Sequence, residues 1–338
     1  MNTQIKQYVE SLLPKQLGLK QKIKVSRISK LGMGTGNLNY LVVANKKKFV
    51  YRMNMDLKDK KKSRREFEAL KIVEKYKIGP IARVLDETRK SFDSDFIILD
   101  YIEGKTVDKT KEYFSDMMVR KIARLLATIH SIKLTPELKN LPKMRTSYRD
   151  EKQIIRDYLA YIKSKTNNVQ LVNMIEDSAT QLLRLVPPDR DNVNLVLTQG
   201  DFCEQNVIVH NGEYKLIDFE DLGLIDPAAE VSHVLLDFGR PFEEKQREIF
   251  FSEYLTIKKD RLLRGRVEIY SPLLSLSIFL WSIEHILKSK NKQMHKEYLK
   301  NNDSAKDFQY LKTTFKRALK AGVIDKKYKS LHLEKILK

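Results

Sequence analysis

The sequence is poor in several residue types on which whole protein classes depend. Its 338 residues include one cysteine, Cys203, which excludes a disulfide framework and a cysteine-bound metal site. Residues 1–13 lack the apolar core of a signal peptide, and residues 273–287, the most apolar stretch, are too few and too interrupted to span a bilayer. We therefore expect a cytoplasmic protein with no membrane partner.

Acidic residues are also scarce relative to basic ones. The chain has 44 Asp and Glu against 64 Lys and Arg, which gives a formal net charge of +20. Residues 46–65 carry ten bases and two acids, and residues 288–338 carry 15 bases and five acids. Such clusters attract polyanions, so anionic partners such as nucleic acid are expected. The alternative is that both clusters are solvated lysine faces without a partner.

Hydrophobic periodicity predicts an α+β fold in two lobes. The first hundred residues alternate as strands of an antiparallel sheet, with one helical pattern that starts near Ser63 and ends at Gly79-Pro80. Beyond Gly104 the pattern is mainly helical. We predict a small nucleotide-binding N-lobe at residues 1–103. The larger C-lobe, residues 104–338, then holds the catalytic loop, the acceptor site and the basic C-terminal helices.

One stretch in the second half has the layout of metal-assisted phosphoryl transfer. Asp201 is followed five residues later by Asn206, then by a strand, an Asn211-Gly212 hairpin turn and a second strand that ends in Asp218. The turn would bring Asn206 and Asp218 side by side. Asp201 is then a candidate catalytic base, and Asn206 and Asp218 are candidate Mg²⁺ ligands beside the phosphates of ATP. Taken singly, each could equally be a loop or capping residue.

A second candidate region binds the nucleotide in this interpretation. A glycine-rich turn lies between two strand-like runs and exposes backbone N–H groups to phosphate, unless it is only a flexible hairpin. Arg52, at the end of the third strand, can reach the phosphates, and Glu66 on the following helix can hold it by an ion pair. The predicted residues of the turn are Gly32, Gly34, Thr35, Gly36 and Asn37.

The order of these motifs resembles the aminoglycoside phosphotransferase and choline kinase family of the protein-kinase-like fold. The resemblance covers residues 23–287 and is most specific at residues 199–206 and 217–220. It implies an ATP-dependent kinase, with adenine held by the linker backbone at Asp100 and Ile102. Three departures stand out: Gln199 where the family usually has His, Glu230 where it often has Asp, and Arg52 in place of Lys.

The resemblance leaves the acceptor open, and charge provides the remaining argument. A chain of net charge +20 disfavours a cationic acceptor, whereas RNA fits two basic clusters, since neutralised phosphates release counterions. The leading hypothesis is therefore transfer to a ribose 2′-hydroxyl of RNA, in particular tRNA, as in archaeal RNA kinases of similar basic composition. The alternatives are a small-molecule kinase of the aminoglycoside, choline or sugar kinase type, and an inactive kinase fold that serves as a binding module.

Overall fold

The chain folds into two compact units that are not continuous in sequence. The computed structural model describes all residues except 19, 21, 34–36, 56–60, 189–192, 295–298, 301–302 and 338. One unit combines Met1–Tyr113 with Gln199–Leu222, and the other combines Phe114–Thr198 with Gly223–Lys338. The division into residues 1–103 and 104–338 remains a prediction about lobes. The compact units differ from it because the hairpin segment packs with the first hundred residues.

An antiparallel sheet of five strands forms the body of the first unit, in the order β1-β2-β3-β5-β4. The strands are β1 (Val25–Met33), β2 (Asn37–Ala44), β3 (Lys47–Asn54), β4 (Ala82–Asp86) and β5 (Phe96–Asp100). Asn45 and Lys46 join β2 to β3 with φ angles of 48° and 65°. Such left-handed turns match the twist of the flanking strands, which explains the tight hairpin.

Three helices accompany this sheet: α1 (Asn2–Ser11), α2 (Leu13–Gln16) and α3 (Lys62–Val73). Helix α3 is the one helix that the sequence pattern predicts in this region, and the structure adds α1 and α2, which it does not predict. The amphipathic α1 buries Tyr8, whose ring lies 4.7 Å from that of Phe96, edge to face. Tyr51 stacks on the same Phe96 at 4.4 Å. The N-terminal residues are therefore part of the sheet's apolar core.

The hairpin segment of the first unit carries the residues predicted to be catalytic. Strands β8 (Val207–His210) and β9 (Glu213–Leu216) pair antiparallel, with β6 (Lys105–Thr106) beside β8. Asn211 and Gly212 make the predicted turn, both with positive φ. Gly200 has φ 98°, and a Cβ there would lie 2.3 Å from the carbonyl oxygen of Asp221. Only glycine fits at this position, immediately before Asp201.

The second unit is mainly helical, so the α+β class predicted from the sequence is confirmed. Its longest helices begin at side-chain caps where the sequence offers one: Ser115, Ser147 and Asn168 each accept a backbone N–H three residues on. The helices are α4 (Asp116–His130), α5 (Pro136–Lys139), α6 (Tyr148–Lys165), α7 (Val169–Leu185), α8 (Pro227–Asp237), α9 (Glu244–Ile257), α10 (Leu263–Lys290), α11 (Ser304–Lys320) and α12 (Leu333–Leu337), with strands β7 (Val196–Thr198) and β10 (Gly223–Ile225).

Helix α10 is the central helix of this unit. Within the described residues it alone is long and apolar enough to cross a membrane by length and composition, and 72% of its most apolar window is buried inside the fold. That burial is typical of the core helix of a globular unit. Its apolar pattern is thus accounted for by packing, chiefly against α6, α8 and α11.

Candidate active site

Asp201 and Asn206 are joined by two hydrogen bonds within the loop that precedes β8. The amide Nδ2 of Asn206 donates to the backbone oxygen of Asp201 at 2.9 Å and to its carboxylate Oδ2 at 2.8 Å. Asn206 is buried, whereas Asp201 is exposed. The buried amide therefore fixes the direction of a carboxylate that faces solvent, which is the arrangement expected of a group that takes a proton from a substrate.

The side chain of Gln199 holds this loop in place through hydrogen bonds to the backbone. Its Nε2 donates to the backbone oxygen of Ile217 at 2.9 Å and also to that of Asp218, while its Oε1 accepts from the backbone N–H of Asp201 at 2.9 Å. The side chain is fully buried. An amide has two N–H donors and an acceptor, so one residue can tie the catalytic loop to the strand end that carries Asp218. The loop is thus held although glutamine replaces the histidine usual in the family.

Arg52 occupies the centre of a buried charge cluster. Its Nη2 lies 2.5 Å from Oδ1 of Asp218 and 3.1 Å from Oε2 of Glu220, and its Nε lies 2.8 Å from Oε2 of Glu66. The Nε–H does not point along that last line, so the Glu66 contact is an ion pair without an aligned hydrogen bond. The structure therefore brings together three predicted site residues, Arg52, Glu66 and Asp218.

Glu220 is the second centre of the same network. Its Oε2 also accepts from Nδ2 of Asn37 at 2.6 Å and lies 3.0 Å from Nζ of Lys62. We refer to Arg52, Lys62, Glu66, Asp218 and Glu220 as the Arg52 cluster. Sequence reasoning assigned no role to Glu220 or Lys62. The available signal was the position of Glu220 two residues after Asp218, which places both carboxylates on one short segment.

Burial and mutual charge set the protonation behaviour of this cluster. Burial raises the pKa of Glu66 to about 7 in spite of the adjacent Arg52. Burial also raises the pKa of Asp218, where Arg52 opposes the shift and the negative charges of Glu220 and Asp201 add to it. Burial acts in the same direction on Glu220, but Arg52 and Lys62 outweigh it and the net pKa is lowered. The carboxylates therefore compete for two cations.

The oxygen atoms left over by these bonds suit a magnesium ion. The amide Nδ2 of Asn206 and Oδ1 of Asp218 are engaged in the bonds described above. Within the described residues, the second polar atom of each side chain, Oδ1 of Asn206 and Oδ2 of Asp218, accepts no hydrogen bond. Amide and carboxylate oxygens are the donors that Mg²⁺ prefers. A cation would also relieve the repulsion between Asp201 and Asp218. Over the same residues, no group of three or more His, Cys, Asp or Glu has the arrangement of a metal site.

Asp218 has a backbone conformation that few residues other than glycine adopt. Its φ is 65°, in the left-handed region, which Asp and Asn enter more often than most other non-glycine residues. Two contacts hold Asp218 in this conformation: the hydrogen bond that Gln199 donates to its backbone carbonyl, and the ion pair of its carboxylate with Arg52. Strain maintained by surrounding contacts is typical of functional residues, because it sets the direction of one side chain.

The remaining predicted nucleotide-binding residues are placed less completely. Gly32 lies in β1, opposite Asn39, while Gly34, Thr35 and Gly36 lie outside the described residues. The carboxylate of Asp100 accepts a hydrogen bond from Nε of Arg83 at 2.8 Å, and the backbone N–H of Asp100 donates to the carbonyl of Ile81. The N–H of Ile102 donates to no backbone carbonyl within the described part of the chain.

A buried polar network in the second unit fixes the end of β7. His130 contacts the Tyr254 hydroxyl at 2.5 Å through Nδ1 and Oε2 of Glu230 at 2.7 Å through Nε2. The other oxygen of Glu230 accepts from the Thr198 hydroxyl at 2.5 Å. The longer glutamate that replaces the usual aspartate therefore reaches both partners. Thr198 directly precedes Gln199 in the sequence, so this network fixes the residue that comes before the Asp201 loop.

Comparison with known proteins assigns these features to a family. The profile of the phosphotransferase enzyme family (APH) matches residues 27–266. No curated protein sequence matches the chain. Among solved structures, it is similar to a choline/ethanolamine kinase family protein from Mesorhizobium loti, with a TM-score of 0.63, 16% identity, and coverage of 100% of this chain and 98% of that one.

Two further solved structures show the same fold. Spectinomycin phosphotransferase APH(9)-Ia in complex with ADP and spectinomycin has a TM-score of 0.59 at 15% identity, and covers 90% of this chain and 93% of its own. Choline kinase from Cryptosporidium parvum has a TM-score of 0.58 at 15% identity, with 93% of each chain covered. The kinase-like fold expected from the sequence is thereby confirmed. All three are named for activities on small molecules, and none is named for RNA.

Proposed function

Because the chain belongs to the phosphotransferase enzyme family, whose members are ATP-dependent kinases acting on hydroxyl groups, we propose that it transfers the γ-phosphoryl group of ATP to a hydroxyl of a small molecule. The observation that carries the proposal is a set of contacts within one compact unit: Asn206 is bonded to Asp201, Arg52 is bonded to Asp218, and Gln199 is bonded to the backbone of both Asp201 and Asp218. Phosphoryl transfer depends on positioning and charge stabilisation, which this set supplies. Its completeness also argues against an inactive binding module.

Asp201 is the proposed general base. Its exposed carboxylate, oriented by the Asn206 amide, accepts the proton of the incoming hydroxyl as that oxygen attacks phosphorus. Oδ1 of Asn206 and Oδ2 of Asp218 would hold Mg²⁺. When bound, the ion neutralises charge on the phosphate oxygens. The Arg52 cluster holds two cations against three carboxylates, so it does not by itself offset the charge of a triphosphate.

ATP binding is assigned to the same unit. Arg52 is the proposed phosphate ligand, with Glu66 holding it in place, and the backbone N–H of Ile102 is the proposed donor to adenine. The glycine-rich turn of Gly32, Gly34, Thr35, Gly36 and Asn37 is proposed to cover the phosphates. The C-terminal end of this turn lies beside the Arg52 cluster, because the side chain of Asn37 donates a hydrogen bond to Glu220.

Several bases of the first basic cluster, residues 46–65, are engaged in ion pairs. Lys48, Lys62 and Arg64 pair with Glu103, Glu220 and Glu87, and Arg52 is buried in the Arg52 cluster. Lys58 and Lys60 lie outside the described residues. Paired bases release few counterions on meeting a polyanion, so the charge argument for RNA weakens. The similar structures are named for small molecules, which favours the alternative of a small-molecule acceptor.

A transfer assay tests the proposal. The full chain is incubated with γ-labelled ATP and Mg²⁺, with pooled amino alcohols, aminoglycosides and sugars in one tube and total RNA in another. We expect label in the small-molecule tube and none in RNA. Asp201→Asn should lower kcat about 10²- to 10⁴-fold with ATP affinity nearly unchanged. The matched control is Glu213→Gln, which removes an exposed carboxylate on the same hairpin and should retain full activity.

Two results would contradict the proposal in different ways. An Asp201→Asn variant with wild-type turnover would exclude Asp201 as the base. Label that appears only in RNA would restore the RNA acceptor and exclude the small molecule.

A further inference from the structure

The C-terminal part of the second unit contains a groove that the proposed kinase activity does not use. Helix α11 forms one wall and residues 326–335 form the other, and the groove has a volume of about 950 Å³. That volume is in the range of pockets that hold a small organic ligand. Every lining residue lies between Lys312 and Lys335, beyond the residues that match the family profile.

The floor of this C-terminal groove is apolar. Phe315 and Leu333 are buried beneath it, while Leu319 and Leu331 are half-buried and face the open space. Phe315 and Leu319 are four residues apart on α11, so they lie on one face of the helix. A ligand in the groove would therefore lay apolar surface against leucine side chains.

The rim of the groove is basic. Of its six lysines, only Lys312 has a carboxylate partner within the described chain, with Nζ 2.6 Å from Oε2 of Glu334. The other five have no acidic group within ion-pair distance among those residues. They are Lys316, Lys320, Lys326, Lys329 and Lys335. Five like charges around one opening create a positive potential that only a ligand or counterions can neutralise.

Neighbouring bases on the same elements do find partners. Lys327 lies 2.9 Å from Oδ2 of Asp177, and Arg317 lies 2.7 Å from Oδ1 of Asp237. These pairs fix α11 and residues 326–328 to other helices of the second unit. The walls of the groove are thus held by paired bases, while five of its six lysines have no carboxylate partner in the described part of the chain.

We propose that the C-terminal groove binds a single-chain anionic amphiphile, with its hydrocarbon chain on the leucine floor and its phosphate among the rim lysines. An anion complements the charge of the five lysines, and an apolar body covers the leucine side chains of the floor. Single-stranded nucleic acid fits less well, because its bases stack on several exposed aromatic rings. Of the two rings that line the groove, Phe315 is only 7% exposed, which leaves His332 as the one exposed ring.

Calorimetric titration of the full chain tests the site without reference to kinase activity. The probes are dodecyl phosphate and octyl phosphate below their micellar concentrations, octyl glucoside, inorganic phosphate and a 20-residue oligouridine. We expect one molecule of dodecyl phosphate per chain. Octyl phosphate should bind more weakly, by up to about fourfold per missing methylene. Octyl glucoside and inorganic phosphate, which each lack one half of the recognised chemistry, should bind at least tenfold more weakly than octyl phosphate.

A matched pair of variants locates the binding. Lys316→Glu/Lys320→Glu/Lys329→Glu should weaken dodecyl phosphate at least tenfold. Lys133→Glu/Lys139→Glu/Lys259→Glu makes the same change in net charge at exposed lysines of the second unit that do not line the groove, and should change affinity less than twofold. Leu319→Asn/Leu331→Asn, at half-buried positions, should remove the dependence on chain length, with a thermal melt by circular dichroism to confirm folding.

Three outcomes would overturn the proposal. The first is no binding of dodecyl phosphate to the wild-type chain. The second is equal weakening by both lysine triples, which would indicate net charge and not the groove. The third is oligouridine binding that depends on the groove lysines while the amphiphile does not bind, which would make the surface a nucleic-acid site.

Discussion

The Arg52 cluster and the C-terminal groove use positive charge in opposite ways. In the cluster, Arg52 and Lys62 are surrounded by three carboxylates, and Arg52 is 7% exposed. In the groove, five lysines stand in water with no carboxylate partner among the described residues. A buried cation requires partners because desolvation is costly, whereas an exposed one does not. Basic clusters that look alike in sequence can therefore belong to a catalytic centre or to a ligand-binding surface.

Replacing one base by methionine in each region gives the largest expected difference in the free energy of unfolding. Arg52→Met leaves Glu66 buried without a counter-charge and should lower the free energy of unfolding by about 3–5 kcal/mol. Lys316→Met, at an exposed position, should change it by no more than about 0.5 kcal/mol. Urea denaturation at pH 8 measures both. A loss below about 1 kcal/mol for Arg52→Met would show that the cluster does not depend on its central cation.

The response to pH distinguishes the regions next. Because the pKa of Glu66 is raised to about 7, the folded protein binds a proton there more tightly than the unfolded chain. Its stabilising contribution is therefore complete below pH about 4.5 and is lost as the pH rises through about 7. The stability difference between wild type and Glu66→Gln should fall by up to about 3 kcal/mol over that window.

Urea denaturation of both proteins from pH 5 to pH 8 gives this difference directly, since the titrations shared by the two chains cancel. The charges that face Glu66 are those of Arg52, Asp218 and Glu220. A difference that rises with pH would mean that Arg52 outweighs burial and that the pKa of Glu66 is lowered instead.

The smallest expected effect has the opposite sign to that of Arg52→Met. Lys316 lies four residues from both Lys312 and Lys320 on α11, and like charges at that spacing repel. Lys316→Gln should therefore stabilise the protein by about 0.5 kcal/mol at low salt. The gain should shrink in 0.5 M NaCl, because salt screens exposed charges. Thermal melts at both salt concentrations test it, and an equal gain at both would exclude repulsion as the cause.

Much of the local structure was predictable because it depends on short-range patterns. The long helices α4, α6 and α7 lie beyond Gly104, where the pattern predicts mainly helix, and the Asn211-Gly212 turn joins the two predicted strands. The group of Asp201, Asn206 and Asp218 followed from the same hairpin. Roles in catalysis and metal binding for these three remain predictions, but their proximity is a consequence of strand pairing that the residue spacing already implies.

The sequence was less informative wherever a contact spans a long stretch of chain. Glu220 lies 168 positions from Arg52, and nothing in the spacing indicates that they meet. Gln199 is a departure from the family pattern in the sequence, yet its amide makes three hydrogen bonds that a pattern of residue types cannot show. The basic run at residues 46–65 suggested a polyanion surface, but distant acids neutralise several of its bases.

The sequence by itself determined the α+β class, the hairpin and the set of carboxylate and amide groups, because periodicity and turn chemistry act over a few residues. Apart from the expected pair of Arg52 with Glu66, the tertiary structure decided which charges are paired. Ion pairing depends on distance in space, and only the folded chain brings Asp218 and Glu220 to Arg52 while five lysines of the C-terminal groove have no carboxylate partner among the described residues.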